Sequence, residues 1–185
     1  MGNFSFDKTS IDGVYIIEPT VFGDDRGYNI ETYNKAEFDA NGLVYDFVQD
    51  NRSRSKKGVL RGLHYQKTHP QAKLVSVLEG KVLDVAVDLR KGSKTYGKWV
   101  SAELSVDNKK MLMVPRGFAH GFLVLSDFAT FAYKLDDFYH PEDEGGVIWN
   151  DPDIGIDWGD ATEILLSEKD KKHPTLKQSQ MEFRL

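Results

Sequence analysis

A mainly β fold, a sandwich or barrel with a few short helices, is the class that these 185 residues predict. Short runs rich in β-branched and aromatic residues recur along the chain, and turn residues punctuate them, which is the spacing of stacked or closed sheets. No linker, low-complexity tract or repeat divides the sequence, and the length suits one domain spanning residues 1–185. An apolar fraction of 40% with 29% charged residues is that of an ordinary globular protein, not a disordered one.

The first predicted strand is Val14–Glu18. A short helix follows at Lys35–Ala40, with Asn34 as N-cap and a stop near Gly42. Further strands are expected at Val59–Gln66, Lys73–Leu78, Lys81–Leu89, Lys98–Ser105, Met111–Val114, Phe118–Leu125 and Ala129–Asp136, with Glu79-Gly80 as a tight turn. A second helix is expected within 161–171. Segment 146–158, rich in Asp, Gly, Pro and Trp, lacks the spaced acids and closing Glu of a calcium loop and reads as a loop covering a ligand site.

Composition also excludes functions. A net charge of −5 gives no reason to expect nucleic-acid binding, although a local cationic pocket for an anion is compatible with it. The absence of cysteine removes disulfides, thiolate metal sites and a thiol nucleophile, and suits a cytoplasmic location. No signal peptide and no run near the roughly 20 apolar residues of a membrane span is seen. Gly2 does not head a lipidation motif, because position 6 is Phe, and the sequons at Asn3 and Asn51 read as chance.

Alternation places Phe118, His120, Phe122 and Val124 on one face of their strand, and Ala129, Phe131, Tyr133 and Leu135 on one face of theirs. His64 is expected to share a face with Leu60, Gly62 and Gln66, so His64, His120 and Tyr133 can line one mouth. The segment His64-Tyr65-Gln66, then Glu79-Gly80, then Pro115-Arg116-Gly117-Phe118-Ala119-His120 resembles the two halves of the cupin signature, which implies a jelly-roll. In metal-binding cupins the first half supplies a second His and a carboxylate. Here Gln66 replaces that His, and Pro70 or Gln71 stands at the carboxylate positions. Two imidazoles are too few for a catalytic metal, so no metal is expected. Any carbon chemistry then falls to side chains, and an imidazole titrating near ~6.5 makes His64 a candidate base.

Six blocks, two of them enclosing those segments, extend the likeness from Phe22 to Asp170: Phe22-Gly23-Asp24-Asp25-Arg26-Gly27, Phe47-Val48-Gln49-Asp50-Asn51, Gly58 to Gln66, Asp84 to Arg90, Pro115 to Phe122, and Trp149-Asn150-Asp151-Pro152. Their order and spacing resemble the dTDP-4-dehydrorhamnose 3,5-epimerase family. The resemblance implies a cofactor-free homodimer that inverts C3 and C5 of a dTDP-4-keto-6-deoxy sugar. It implies His64 as base oriented by Asp170, Tyr133 as acid on the opposite side, and Lys73 at the enolate oxygen. Substrate contacts map to Arg26, Glu31, Gln49, Asn51, Arg61, His120, Glu144 and Lys169.

Two points stay open in the residues themselves. Asp84 is an alternative orienter of His64. Arg61 and His64 fall on opposite faces of a regular strand, so either Gly62 marks a bulge or Arg61 serves a site across a subunit boundary. Competing readings are an epimerase inverting a single carbon, a non-catalytic sugar-binding cupin, and a metal-dependent cupin enzyme.

Overall fold

The computed structural model describes residues 2–161 and 163–184. Thirteen strands and two short α-helices are present among them. One sheet has six strands in the order β1(Phe4–Lys8), β2(Tyr15–Pro19), β10(Met111–Val114), β7(Lys73–Glu79), β12(Phe128–Leu135), β5(Gln49–Lys56). The other has five, in the order β13(Glu144–Gly146), β6(Leu60–Gln66), β11(Phe118–Val124), β8(Lys81–Asp88), β9(Trp99–Ser105). A separate ribbon joins β3(Val21–Asp24) to β4(Gly27–Ile30). The pairings within all three sheets are antiparallel.

Period-2 alternation explains how the layers pack. Even positions Val82 and Ala86 of β8 and Phe118, Phe122 and Val124 of β11 meet Val75, Val77, Ala129 and Phe131 in a core between the two sheets. Odd positions Val85, Val87, Ala119 and Leu123 turn to the outer face of the five-stranded sheet, where Val147, Ile154, Trp158, Leu176 and Phe183 cover them. On the other flank, α1(Lys35–Ala40) lays Phe38 over Ile17, Leu74, Met111 and Met113. Strands apolar on both faces therefore read as continuous runs, as in β10, which is buried throughout. Each large buried aliphatic or aromatic side chain contributes about 1.5–3 kcal/mol.

Helix α1 begins at Asn34, whose side chain accepts from the amides of Ala36 and Glu37, as its sequence predicts. The second predicted helix is displaced. Within 161–171 only a 3-10 turn at Asp170–Lys172 begins, and Thr162 lies outside the described residues. Helix α2 is Leu176–Ser179, started by a capping box between Thr175 and Gln178. Segment 146–158 is also corrected: Val147, Ile154 and Trp158 coat the back of the five-stranded sheet. Among the described residues, none of that segment lines the cavity containing His64. No helix of the described residues is long and apolar enough to cross a membrane.

Candidate active site

At one end the space between the sheets is lined by polar groups instead of aliphatic ones. Two lobes of about 150 and 330 Å³ share Arg61, His64, Lys73 and Tyr133. His64 comes from β6 of the five-stranded sheet, Lys73 and Tyr133 from β7 and β12 of the six-stranded one. The imidazole and the phenol therefore enter from opposite walls. His120, Ser53, Phe122 and Phe131 complete the inner lobe, and Asn51, Gln66, Gln71, Tyr139 and Glu144 belong to the outer one.

The Arg61–His64 conflict is resolved inside this chain. His120 of β11 pairs with His64, yet Phe122, two residues on, pairs with Arg61, three residues back. β6 thus carries one extra residue, a bulge, and that residue brings Arg61 onto the face of His64. Gly62 makes it possible: its φ is +136°, and a Cβ there would lie 2.6 Å from Gly121 Cα. The same shift corrects the expected neighbours of His64, because Leu60 turns away to pack with Leu63 and Tyr65. Arg61 Nε donates to Ser55 Oγ at 3.1 Å, which fixes its approach to the cavity.

Each strand histidine has its own carboxylate. His64 Nε2 lies 2.6 Å from Asp170 Oδ1, and His120 Nε2 lies 3.0 Å from both oxygens of Asp84. Asp170, not Asp84, is therefore the partner of His64. Burial would raise the Asp170 carboxyl, but the imidazoles of His173 and His64 outweigh it and hold the group well below the usual carboxylate range. Asp84 is raised by its burial, with His120 and Lys73 opposing. Desolvation pulls Lys73 down to about 8, with Asp84 and Glu144 partly restoring it.

His64, Asp170 and His173 each present a ligand atom within 4.8 Å of the others. Atoms held at about 2.0–2.2 Å by one cation lie roughly 3 Å or more apart, so the 2.6 Å His64–Asp170 contact is a direct hydrogen bond and not a cation cage.

The rim is tied together by hydrogen bonds. Asn51 Nδ2 donates to Tyr133 Oη at 3.2 Å, Gln49 Nε2 to Asn51 Oδ1 at 3.0 Å, and the Tyr139 amide to Gln49 Oε1 at 3.1 Å. Gln49 stands behind Asn51 and does not itself line the lobes. Glu144, brought beside Gln66 by β13, takes an ion pair from Lys169 at 2.5 Å and a hydrogen bond from the Tyr139 hydroxyl at 2.6 Å. Its burial would raise it, and those two contacts lower it, while Tyr139 is pushed up to about 12 by the Glu144 carboxylate and by burial.

Arg26 and Glu31 are not brought to this cavity. Arg26 is 90% exposed at the tip of the β3–β4 ribbon and pairs with Asp24, and Glu31 binds the side chains of Asn3 and Asn34. Ser53, Ser55, Tyr139 and His173 were not anticipated from sequence. The alternation Gln49-Asn51-Ser53-Ser55 against Asp50-Arg52-Arg54-Lys56 is the signal that marks β5 as a cavity wall.

The dTDP-4-dehydrorhamnose 3,5-epimerase family model matches residues 8–178. The chain belongs to that family. A relative named as this epimerase from Methanothermobacter thermautotrophicus is 52% identical over 97% of this chain and 98% of its own. The solved dTDP-6-deoxy-D-glucose-3,5-epimerase of Legionella pneumophila, in complex with dTDP-4-keto-L-rhamnose, is 47% identical, with a TM-score of 0.94 and 98% of both chains covered. A 3'-monoepimerase of Streptomyces bikiniensis, in complex with dTDP-quinovose, is 36% identical at a TM-score of 0.88, covering 94% of this chain and 89% of that one. As a member of this epimerase family, the chain is an isomerase with the β fold of its relatives.

Proposed function

We propose that the protein epimerises dTDP-4-dehydro-6-deoxy-D-glucose at C3 and C5, giving dTDP-4-dehydro-L-rhamnose. The observation that carries this reading is the entry of His64 and Tyr133 into one cavity from opposite sheets, with Lys73 lining the same space. Hydrogens at C3 and C5 flank the C4 ketone, so removal of either gives an enolate on one shared oxygen. With Asp170 ionised, His64 Nε2 donates to it, and the other ring nitrogen keeps the lone pair that removes the proton. The Lys73 ammonium stabilises the enolate oxygen, an effect worth ~3–4 kcal/mol for one well-placed donor. Tyr133, hydrogen-bonded by Asn51, returns a proton to the opposite face, which inverts the carbon.

Arg61 is the cationic fork for the diphosphate, with Asn51, Gln49, His120, Glu144 and Lys169 as further substrate contacts. Arg26 and Glu31 lie off their own cavity, on a ribbon that exposes Val21, Phe22 and Tyr28. A two-stranded ribbon is marginal alone, and exposed apolar surface marks association. Both facts support a homodimer in which the ribbon docks on the partner and carries Arg26 and Glu31 toward the partner's cavity.

Incubation with dTDP-4-keto-6-deoxyglucose in deuterium oxide tests the reaction. Label at both C3 and C5 is expected; label at one carbon alone makes the protein a mono-epimerase, and no label refutes the reading. His64→Ala should slow exchange by ~100-fold or more.

A further inference from the structure

His173 has no part in the proton transfers above, yet it is built into them. The 3-10 turn at Asp170–Lys172 brings residues three apart to one side, so His173 follows Asp170 onto the face toward β6. Its ring meets the His64 ring edge-on, with centroids 5.6 Å apart at 73°. Its side chain is only 9% exposed. Gly146 of β13 leaves the space for it: a Cβ there would lie 2.5 Å from both Cε1 and Nε2 of His173.

Within this enclosure Nε2 of His173 is a buried nitrogen with no hydrogen-bond partner of good geometry. Its neighbour at 3.4 Å is Asp170 Oδ1, the same oxygen that receives His64 Nε2 at 2.6 Å. Leaving a buried polar atom unpaired is unfavourable, so a small tightening that turns this contact into a hydrogen bond is favoured. The charged and titratable groups around the ring are few: Asp170 on its own turn, beside the exposed Lys171 and Lys172; His64 from β6; and Glu144 from β13, whose carboxylate is paired with Lys169 and whose charge acts on His64.

We propose that His173 is a positioning residue of the proton-transfer site, a second donor to Asp170 that shares the carboxylate with the base. A donor on Oδ1 spreads the negative charge that would otherwise be spent wholly on imidazolium at position 64. His173 thereby weakens the hold of Asp170 on the protonated base and keeps His64 free to accept a proton under more acidic conditions. It also fixes the carboxylate against rotation, and with it the tautomer of His64. This role rests on the epimerase reading and adds a residue to it.

The test is the pH profile of deuterium incorporation into dTDP-4-keto-6-deoxyglucose for the full chain and two variants. His173→Phe keeps a ring in the space beside Gly146 and removes the donor. Its acidic limb is expected to move to higher pH by ~0.5–1 unit, a 3- to 10-fold loss confined to the acid side. His173→Gln, which retains a donor, should bring the limb back. A Phe variant whose limb coincides with that of the parent, or whose rate falls equally at every pH, overturns the proposal. Nitrogen-15 NMR of the parent protein is independent of either variant's folding: His173 Nε2 is expected to carry a proton, and an unprotonated Nε2 overturns the role. If the parent itself incorporates no label, the epimerase reading has failed instead.

Discussion

Burial pulls the Lys73 ammonium down to about 8, although Asp84 and Glu144 oppose the shift. In the role proposed for it, Lys73 must be protonated to stabilise an enolate, and that form is lost as pH rises through that value. The exchange rate should therefore fall on the alkaline side near pH 8, a limb that Lys73→Met removes along with ~100- to 1,000-fold of the rate. Stability runs the other way. The folded state binds this proton more weakly than the unfolded chain, so the charge disfavours folding at full strength below about 8, and the effect fades only toward the unfolded value near ~10.4. Lys73→Met is thus expected to raise Tm at neutral pH, read by calorimetry, while activity collapses. At this scale sequence was a partial guide. His64 stands in a recognisable block, Lys73 and Tyr133 follow only from the family resemblance, and the three meet in one cavity. The choice of Asp170 over Asp84 could not be read locally, because it depends on a turn 106 positions away from His64. His173 carried no signal at all, since its meaning comes from the space that Gly146 leaves.

The bulge in β6 is the element on which the site's geometry turns. Gly62 holds φ at +136°, and a Cβ there would collide with the β11 backbone, so Gly62→Ala requires both a disfavoured conformation and a displaced strand. A loss of ~3 kcal/mol or more is expected, read as a lower urea midpoint, and substrate affinity should fall because Arg61 loses its direction. Sequence alternation raised the possibility of this bulge but had no means to choose it over an arginine acting across a subunit boundary. Apolar strands were legible to within a residue or two, since their side chains pack on one or both faces. β5 was missed for a physical reason: its inward residues Gln49, Asn51, Ser53 and Ser55 are all polar, Asn51 and Ser53 lining the cavity, so the usual apolar alternation is absent. The short helix α2 was misplaced because its capping box at Thr175 and Gln178 lies beyond the stretch that read as helical.

For the whole molecule, the two-sheet architecture followed from recurrent apolar runs, but the ribbon β3–β4 did not, because it packs in neither sheet. Its exposed Phe22 is the natural place to test association. Sedimentation should give twice the chain mass for the parent protein, and Phe22→Glu should shift it toward a single chain, since a charge in an apolar contact is costly. The layout of the cavity has a consequence for how such proteins diverge. The groups proposed to move the protons and to hold the enolate, His64, Tyr133 and Lys73, sit on strands with a neighbour on either side, β6, β12 and β7, where any change disturbs two ladders. Ser53, which lines the inner lobe, sits on an outermost strand bonded only to β12. Tinkering there reshapes the slot around the sugar at little structural risk, so new substrate preferences can drift in along that margin while the acid–base apparatus is inherited intact.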